Sequence, residues 1–141
     1  MVPDADALAE AFWPGAVTLI LPDPQKTFPD GVRGPEGGVG VRVSPHALVR
    51  DLLTALGEPL VSTSANAPGQ EAARTGDDVL AALRALALDD DVTVLDAGEL
   101  PFSGASTVID CTGPRAVVAR EGAVPLGRLR CVLPELEIGH G

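Results

Sequence analysis

Residues 39–57 read Val39-Gly40-Val41-Arg42-Val43-Ser44-Pro45-His46-Ala47-Leu48-Val49-Arg50-Asp51-Leu52-Leu53-Thr54-Ala55-Leu56-Gly57, and the change of period inside this stretch decides the fold class. Val39 to Val43 alternates as a strand does. Ser44 then offers a helix cap, Pro45 suits a first helical position, and Leu48, Val49, Leu52, Leu53 and Leu56 recur on one face until Gly57 ends the pattern. A strand running into an amphipathic helix is the unit of a layered α/β protein. Upstream, the Pro- and Gly-rich segment 22–38 reads as a loop, and Ala16 to Leu21 (AVTLIL) as a buried strand between prolines. Asp4 to Trp13 reads as a short helix with Asp4 as cap and Pro14-Gly15 as stop. Downstream, Pro59 to Thr63 is expected as a strand and Ser64 to Gln70 as a turn-rich loop. Thr75 with Asp78 opens a helix to about Ala87, with Val79, Leu80, Leu83 and Leu86 inward. Strands are expected at Val92 to Asp96, Thr107 to Asp110 and Ala116 to Arg120. Helices alternating with strands and then consecutive strands imply an α/β fold of α+β type, a twisted mixed sheet covered by helices. It is expected as a single domain over 1–141 with residues 134–141 as a flexible tail.

Composition narrows the function classes. The chain has 141 residues, enough for a buried core, and is 45% hydrophobic but only 3% aromatic, so that core is aliphatic. A formal charge of −10 opposes a broad footprint for duplex nucleic acid or anionic membrane, so any anion must be bound locally. Lys26 is the one lysine, which leaves anion binding to arginines, hydroxyls and backbone amides. Cys111 and Cys131 lack the spacing of a metal or redox pair and are expected as reduced thiols of a cytoplasmic protein. The first fifteen residues carry Asp4, Asp6 and Glu10 and no basic residue, unlike a signal peptide, and no apolar run approaches a membrane span.

Four places carry candidate chemistry. Ser62-Thr63-Ser64-Ala65-Asn66 sets three hydroxyls and a carboxamide after an apolar run, which reads either as an anion cradle or as a polar turn bonding its own backbone. Arg42, between Val41 and Val43, and Arg120, ending Ala116 to Ala119, each call for an anionic group or for a salt bridge, Asp110 and Glu121 being within reach for Arg120. Ser106 stands at the entrance to a strand after Gly104. A Walker loop, a Rossmann fingerprint and a Gly-x-Ser-x-Gly elbow are all missing. A Ser–His hydrolase could run only through His46, which reads more economically as a first-turn helix residue, and His46 and His140 make no metal cluster.

In order along the chain, Phe12-Trp13-Pro14-Gly15-Ala16-Val17-Thr18-Leu19-Ile20-Leu21, Val39-Gly40-Val41-Arg42-Val43-Ser44-Pro45-His46, Pro59-Leu60-Val61-Ser62-Thr63-Ser64-Ala65-Asn66, Gly104-Ala105-Ser106-Thr107-Val108-Ile109-Asp110 and Ala119-Arg120-Glu121-Gly122 resemble the YrdC family of threonylcarbamoyl-adenylate synthases. The resemblance implies formation of threonylcarbamoyl-AMP from L-threonine, bicarbonate and ATP, with pyrophosphate released, for modification of an adenosine beside tRNA anticodons. It implies ATP as substrate with Mg²⁺, and tRNA or tRNA-modification proteins as partners. It further implies Arg42, Ser64, Asn66 and Arg120 at ATP or the adenylate and Ser62 and Ser106 at threonine, with no protein nucleophile and no metal ligand.

The sequence departs from the family at Gly38 and Ala72, where many members carry Thr and Ser, and at Asn66-Ala67-Pro68-Gly69, where Ser usually precedes the Gly. The family's opening hydroxyl-bearing strand and Lys-x-Arg segment are missing, so the match covers about the last two-thirds of the family domain. Two alternatives follow: a truncated, non-catalytic nucleotide- or RNA-binding relative, and a carbamoyl-transfer domain of the hydrogenase-maturation type. The second normally sits beside acylphosphatase and zinc-finger-like segments, which are absent. The shortened sheet is expected to be marginally stable or to self-associate as a homo-oligomer.

Overall fold

The computed structural model describes residues 3–34, 36–66, 71–88, 90–101 and 104–139. The chain divides into two compact units, Met1–Ala55 with Gly104–Gly141, and Leu56–Ser103.

The first unit is built on a five-stranded sheet in the order β2-β1-β3-β4-β5. Its elements are α1 (Pro3–Phe12), β1 (Val17–Pro22), β2 (Gly38–Val41), most of α2 (Ala47–Leu56), and then β3 (Thr107–Asp110) and β4 (Val117–Arg120). The five-residue α4 (Leu126–Arg130) and the two-residue β5 (Glu137–Ile138) complete it; both are too short for periodicity to reveal them. β1 runs antiparallel to β2 and parallel to β3, β3 antiparallel to β4, and β4 parallel to β5, the mixed sheet that the element order implied.

The strand period of 2 sorts the residues between the two faces. Val17 and Leu19 of β1, Thr107 and Ile109 of β3 and Val118 of β4 are buried on one face. They form a core with Ala5 and Leu8 of α1, Leu129 of α4, and Leu136. The α1 stripe Ala5, Leu8, Ala9 and Phe12 follows the 3.6-residue period and lies against this core. Trp13 is held beside it by Nε1, which donates to Val17 O at 2.8 Å. Within the segment expected as a tail, Leu136 is buried and Glu137–Ile138 pairs with β4.

Several expected boundaries move. Asp4 lies inside α1, and its carboxylate accepts the Ala116 N–H at 3.2 Å instead of capping the helix. β2 ends at Val41, so Arg42 and Val43 are outside the ladder, although Gly15 N–H still reaches Val43 O at 2.9 Å. α2 begins at Ala47: Ser44 Oγ accepts the His46 N–H at 3.2 Å, and the first helical bond runs from Arg50 N–H to His46 O. Pro45, with no N–H to give, lies before the helix. The apolar stripe of α2 forms, but none of its residues is buried.

The second unit contains α3 (Gly76–Ala85), capped as its sequence indicated: Thr75 Oγ1 accepts the Asp78 N–H at 3.1 Å and donates to Asp78 Oδ2 at 2.7 Å. Asp77 and Asp78 suit the positive end of the helix dipole. Arg74 joins the segment before α3 to the 99–100 segment, donating to Leu100 O and Glu99 Oε1, while Leu100 N–H returns to Arg74 O. The strands expected at Pro59 to Thr63 and Val92 to Asp96 do not form. A strand needs a ladder partner, and among the described residues of this unit there is none; Val61 and Leu95 stand 77% and 61% exposed. Of the α3 residues expected inward, Val79, Leu80 and Leu83 are half-buried, whereas Leu86 lies past the helix end and is exposed.

Candidate functional site

The face of the sheet opposite the core carries the candidate chemistry of the first unit. Register places Thr18 opposite Val108, Ile20 opposite Gly40 and Val108 opposite Arg120, so these side-chain positions share one face. Ser106, two residues before Val108, lies on the same face. β2 contributes Gly38 and Gly40 here and turns Val39 and Val41 to the core, leaving bare backbone beside Thr18 and Ile20.

Ser106 is fixed from three sides. Its hydroxyl bonds the Thr18 hydroxyl, Oγ to Oγ1, at 2.8 Å, and its carbonyl accepts from Arg120 Nη2 at 2.9 Å. Gly122 lies over the 105–106 backbone so closely that a Cβ there would stand 2.5 Å from the Ser106 carbonyl carbon. Thr107, next in sequence, is fully buried, and its Oγ1 donates to Val124 O at 2.7 Å and accepts the Val124 N–H at 3.1 Å. That exchange ties the 121–125 turn to β3.

Arg42 and Arg120 are exposed, and neither pairs with a carboxylate among the described residues. The salt bridges weighed for Arg120 therefore do not form: Asp110 Oδ1 instead accepts from Thr112 N–H and Oγ1. Arg42, expected within a strand, is exposed just past the end of β2, so no burial penalty acts on it. Ion pairs between described residues include Arg33–Asp30 and Arg74–Glu99.

In the second unit, Ser62, Thr63 and Ser64 are exposed and Asn66 is half-buried. The loop is shaped by its main chain, Asn66 N–H donating to Ser64 O at 3.0 Å and Ala73 N–H to Ala65 O at 2.9 Å. The Ser62 and Ser64 hydroxyls bond no backbone group among the described residues, unlike a turn closed on itself. Residues 67–70, with the Pro68-Gly69 departure, lie outside the described residues.

Cys111 is not available as a nucleophile in the folded chain. Burial pushes the Cys111 thiol up to about 11, with Asp110 and Asp4 adding to the effect, so it stays protonated and inert at neutral pH. His46 Nδ1 is buried without a hydrogen-bond partner, which gives no support to a Ser–His pair. Among the described residues, no group of three or more His, Cys, Asp or Glu could hold a metal ion, and no helix is long and apolar enough to cross a membrane. Thr18 and Gly122 both touch Ser106, and sequence reasoning did not single them out. The available signal for Thr18 was a hydroxyl between the buried Val17 and Leu19 of an apolar strand.

Residues 2–122 match the family model of the Sua5/YciO/YrdC proteins, described as telomere recombination. The chain belongs to this family. Among Sua5/YciO/YrdC relatives, a threonylcarbamoyl-AMP synthase of Chromohalobacter salexigens is 42% identical over 103 residues, which cover 73% of this chain and 52% of the relative. A threonylcarbamoyl-AMP synthase of Pyrococcus abyssi is 30% identical over 139 residues, covering 96% of this chain and 38% of the relative. The crystal structure of P. abyssi Sua5 complexed with L-threonine superposes with a TM-score of 0.85 at 29% identity, over 99% of this chain and 39% of that one. This Sua5/YciO/YrdC chain thus spans about half or less of the length of these relatives.

Proposed function

We propose that the chain carries the adenylate- and threonine-binding part of a threonylcarbamoyl-AMP synthase, which joins L-threonine, bicarbonate and ATP and releases pyrophosphate. In this reading Arg120 and Arg42 neutralise phosphate charge, Ser64 and Asn66 hold ATP or the adenylate, and Ser62 and Ser106 contact threonine. The observation that carries it is the Ser106–Arg120 pair on the open face of the sheet, with a guanidinium that no carboxylate occupies among the described residues. A cation left without an acidic partner beside an ordered hydroxyl suits an anionic ligand. Transfer of a nucleotidyl group through its α-phosphorus asks the protein chiefly for positioning and charge stabilisation, which arginines and hydroxyls supply without a protein nucleophile. The threonine-bound relative, which superposes on nearly the whole chain, supports the substrate assignment. Without a protein metal cluster among the described residues, Mg²⁺ would enter with the triphosphate as part of the substrate.

Pyrophosphate release tests this directly. The expected result is release that requires L-threonine, bicarbonate and ATP together and falls at least about tenfold in Arg120→Ala, the scale of one lost charge-assisted contact. Pyrophosphate formed equally without threonine, or by Arg120→Ala at the full rate, refutes the assignment. The exposed Arg42 and Arg120, without carboxylate partners among the described residues, equally suit a second reading, a module that binds nucleotide and does not turn it over. ATP binding lost in Arg42→Ala and Arg120→Ala, with no turnover in any variant, selects that reading.

A further inference from the structure

We infer that Thr18 is a positioning residue: through its hydroxyl it holds Ser106 in one rotamer so that the pair presents a single free hydroxyl proton to an oxygen of the bound amino acid. The inference rests on the reading of Ser106 as a threonine contact and adds a residue that no motif assigned.

The geometry carries it in three steps. First, β1 lies between β2 and β3, and Thr18 spans that width. Its methyl faces β2, where a Cβ on Gly40 would sit 3.5 Å from Thr18 Cγ2, and its hydroxyl reaches Ser106 at 2.8 Å on the β3 side. A β-branched side chain has few χ1 wells, so seating the methyl over the bare Gly40 backbone aims the hydroxyl. Second, the two hydroxyls hold two protons and share one hydrogen bond, so one proton is left to donate, whichever group serves as internal donor. Among the described residues no other group bonds either hydroxyl, and the Ser106 carbonyl is already taken by Arg120. Third, β4, through Arg120, and Gly122 both hold residue 106, so the Thr18 bond sets the last free torsion of a residue whose main chain is already fixed. A serine serving only to start a strand would bond its own backbone; this one is bonded by a hydroxyl 88 residues away.

Two measurements on the full chain test it: the Hα–Hβ couplings of Ser106 by NMR, and titration calorimetry with L-threonine. Ser106 is expected in one rotamer in the wild type and in Thr18→Ser, and averaged in Thr18→Val. Thr18→Val is expected to bind L-threonine about five-fold more weakly, the size of one net hydrogen bond, with Thr18→Ser close to wild type. Trp13 fluorescence confirms folding of each variant, and should Thr18→Val not fold, Thr18→Ala carries the same expectation without added bulk. Averaged couplings in the wild type overturn the inference. So does Thr18→Val binding as tightly as wild type while Ser106→Ala binds weakly, an outcome that leaves the threonine reading standing. Wild-type chain that takes up no L-threonine, or Ser106→Ala that binds it unchanged, overturns that reading and the role of Thr18 with it.

Discussion

Replacing Gly122 with alanine probes the link between the fold and Ser106. A Cβ at Gly122 would stand inside 3.0 Å of Ala105 O, 2.5 Å from the Ser106 carbonyl carbon and 2.6 Å from its oxygen. All three obstacles are main-chain atoms, and their segment is anchored by Ala123 N–H to Ala105 O, Thr107 N–H to Ala16 O and Arg120 Nη2 to Ser106 O. Relief therefore requires breaking one of these bonds or moving the 121–123 turn. Overpacking of this kind costs about 1–3 kcal/mol, and one lost hydrogen bond adds about 1 kcal/mol. A total of about 2–4 kcal/mol lowers the melting midpoint of a domain this size by roughly 10–20 °C. Trp13 is the one tryptophan and packs on the core of the first unit, so its fluorescence follows that unit on heating or in urea. Two other glycines calibrate the result. Gly127, inside α4, has open space where its Cβ would go, so Gly127→Ala is expected to be neutral or to stabilise by up to about 1 kcal/mol. Gly38→Ala meets Ile20 Cγ2 at 2.5 Å and Thr112 Cγ2 at 2.9 Å, γ-methyls of β-branched side chains with few χ1 alternatives, and is likewise expected to destabilise. A Gly122→Ala protein melting level with wild type would refute the claim that the turn presses on the Ser106 backbone.

Leu8→Ala, at a fully buried position of α1, should cost about 2–5 kcal/mol by urea unfolding of the first unit. At pH 8 a thiol reagent should label Cys131 alone in the native chain and reach Cys111 only after denaturant, because burial keeps the Cys111 thiol protonated. Since the folded Cys111 holds its proton up to about 11 against an ordinary 9.0, the unfolded chain ionises first, and native stability should fall as pH rises between those values. Asp23 is held below its ordinary 3.8, chiefly by the Thr27 N–H, against a smaller opposing effect of desolvation. Its turn should therefore keep its form above 3.8 and loosen as pH falls through the lower folded value, visible in the Thr27 and Phe28 amide resonances.

The parts legible in the sequence are those whose signal is local. The α1 helix, the apolar run of β1 between prolines, the Thr75 cap and the placement of Ser106 at a strand entrance all depend on residues a few positions apart. The tertiary structure decided whatever needs a distant partner. The runs at Pro59 to Thr63 and Val92 to Asp96 have strand composition yet meet no ladder among the described residues, and Arg42 has a strand's neighbours yet stands past the end of β2. α4 and β5 exist because Leu129 and Leu136 reach a core assembled by other elements. The Thr18–Ser106 hydrogen bond lies outside any local pattern: its two residues are 88 positions apart, and only the parallel pairing of β1 with β3 brings their hydroxyls within bonding distance. Periodicity reports which face a residue takes, whereas a hydrogen bond between strands depends on register, and register is set by the packing of the whole sheet.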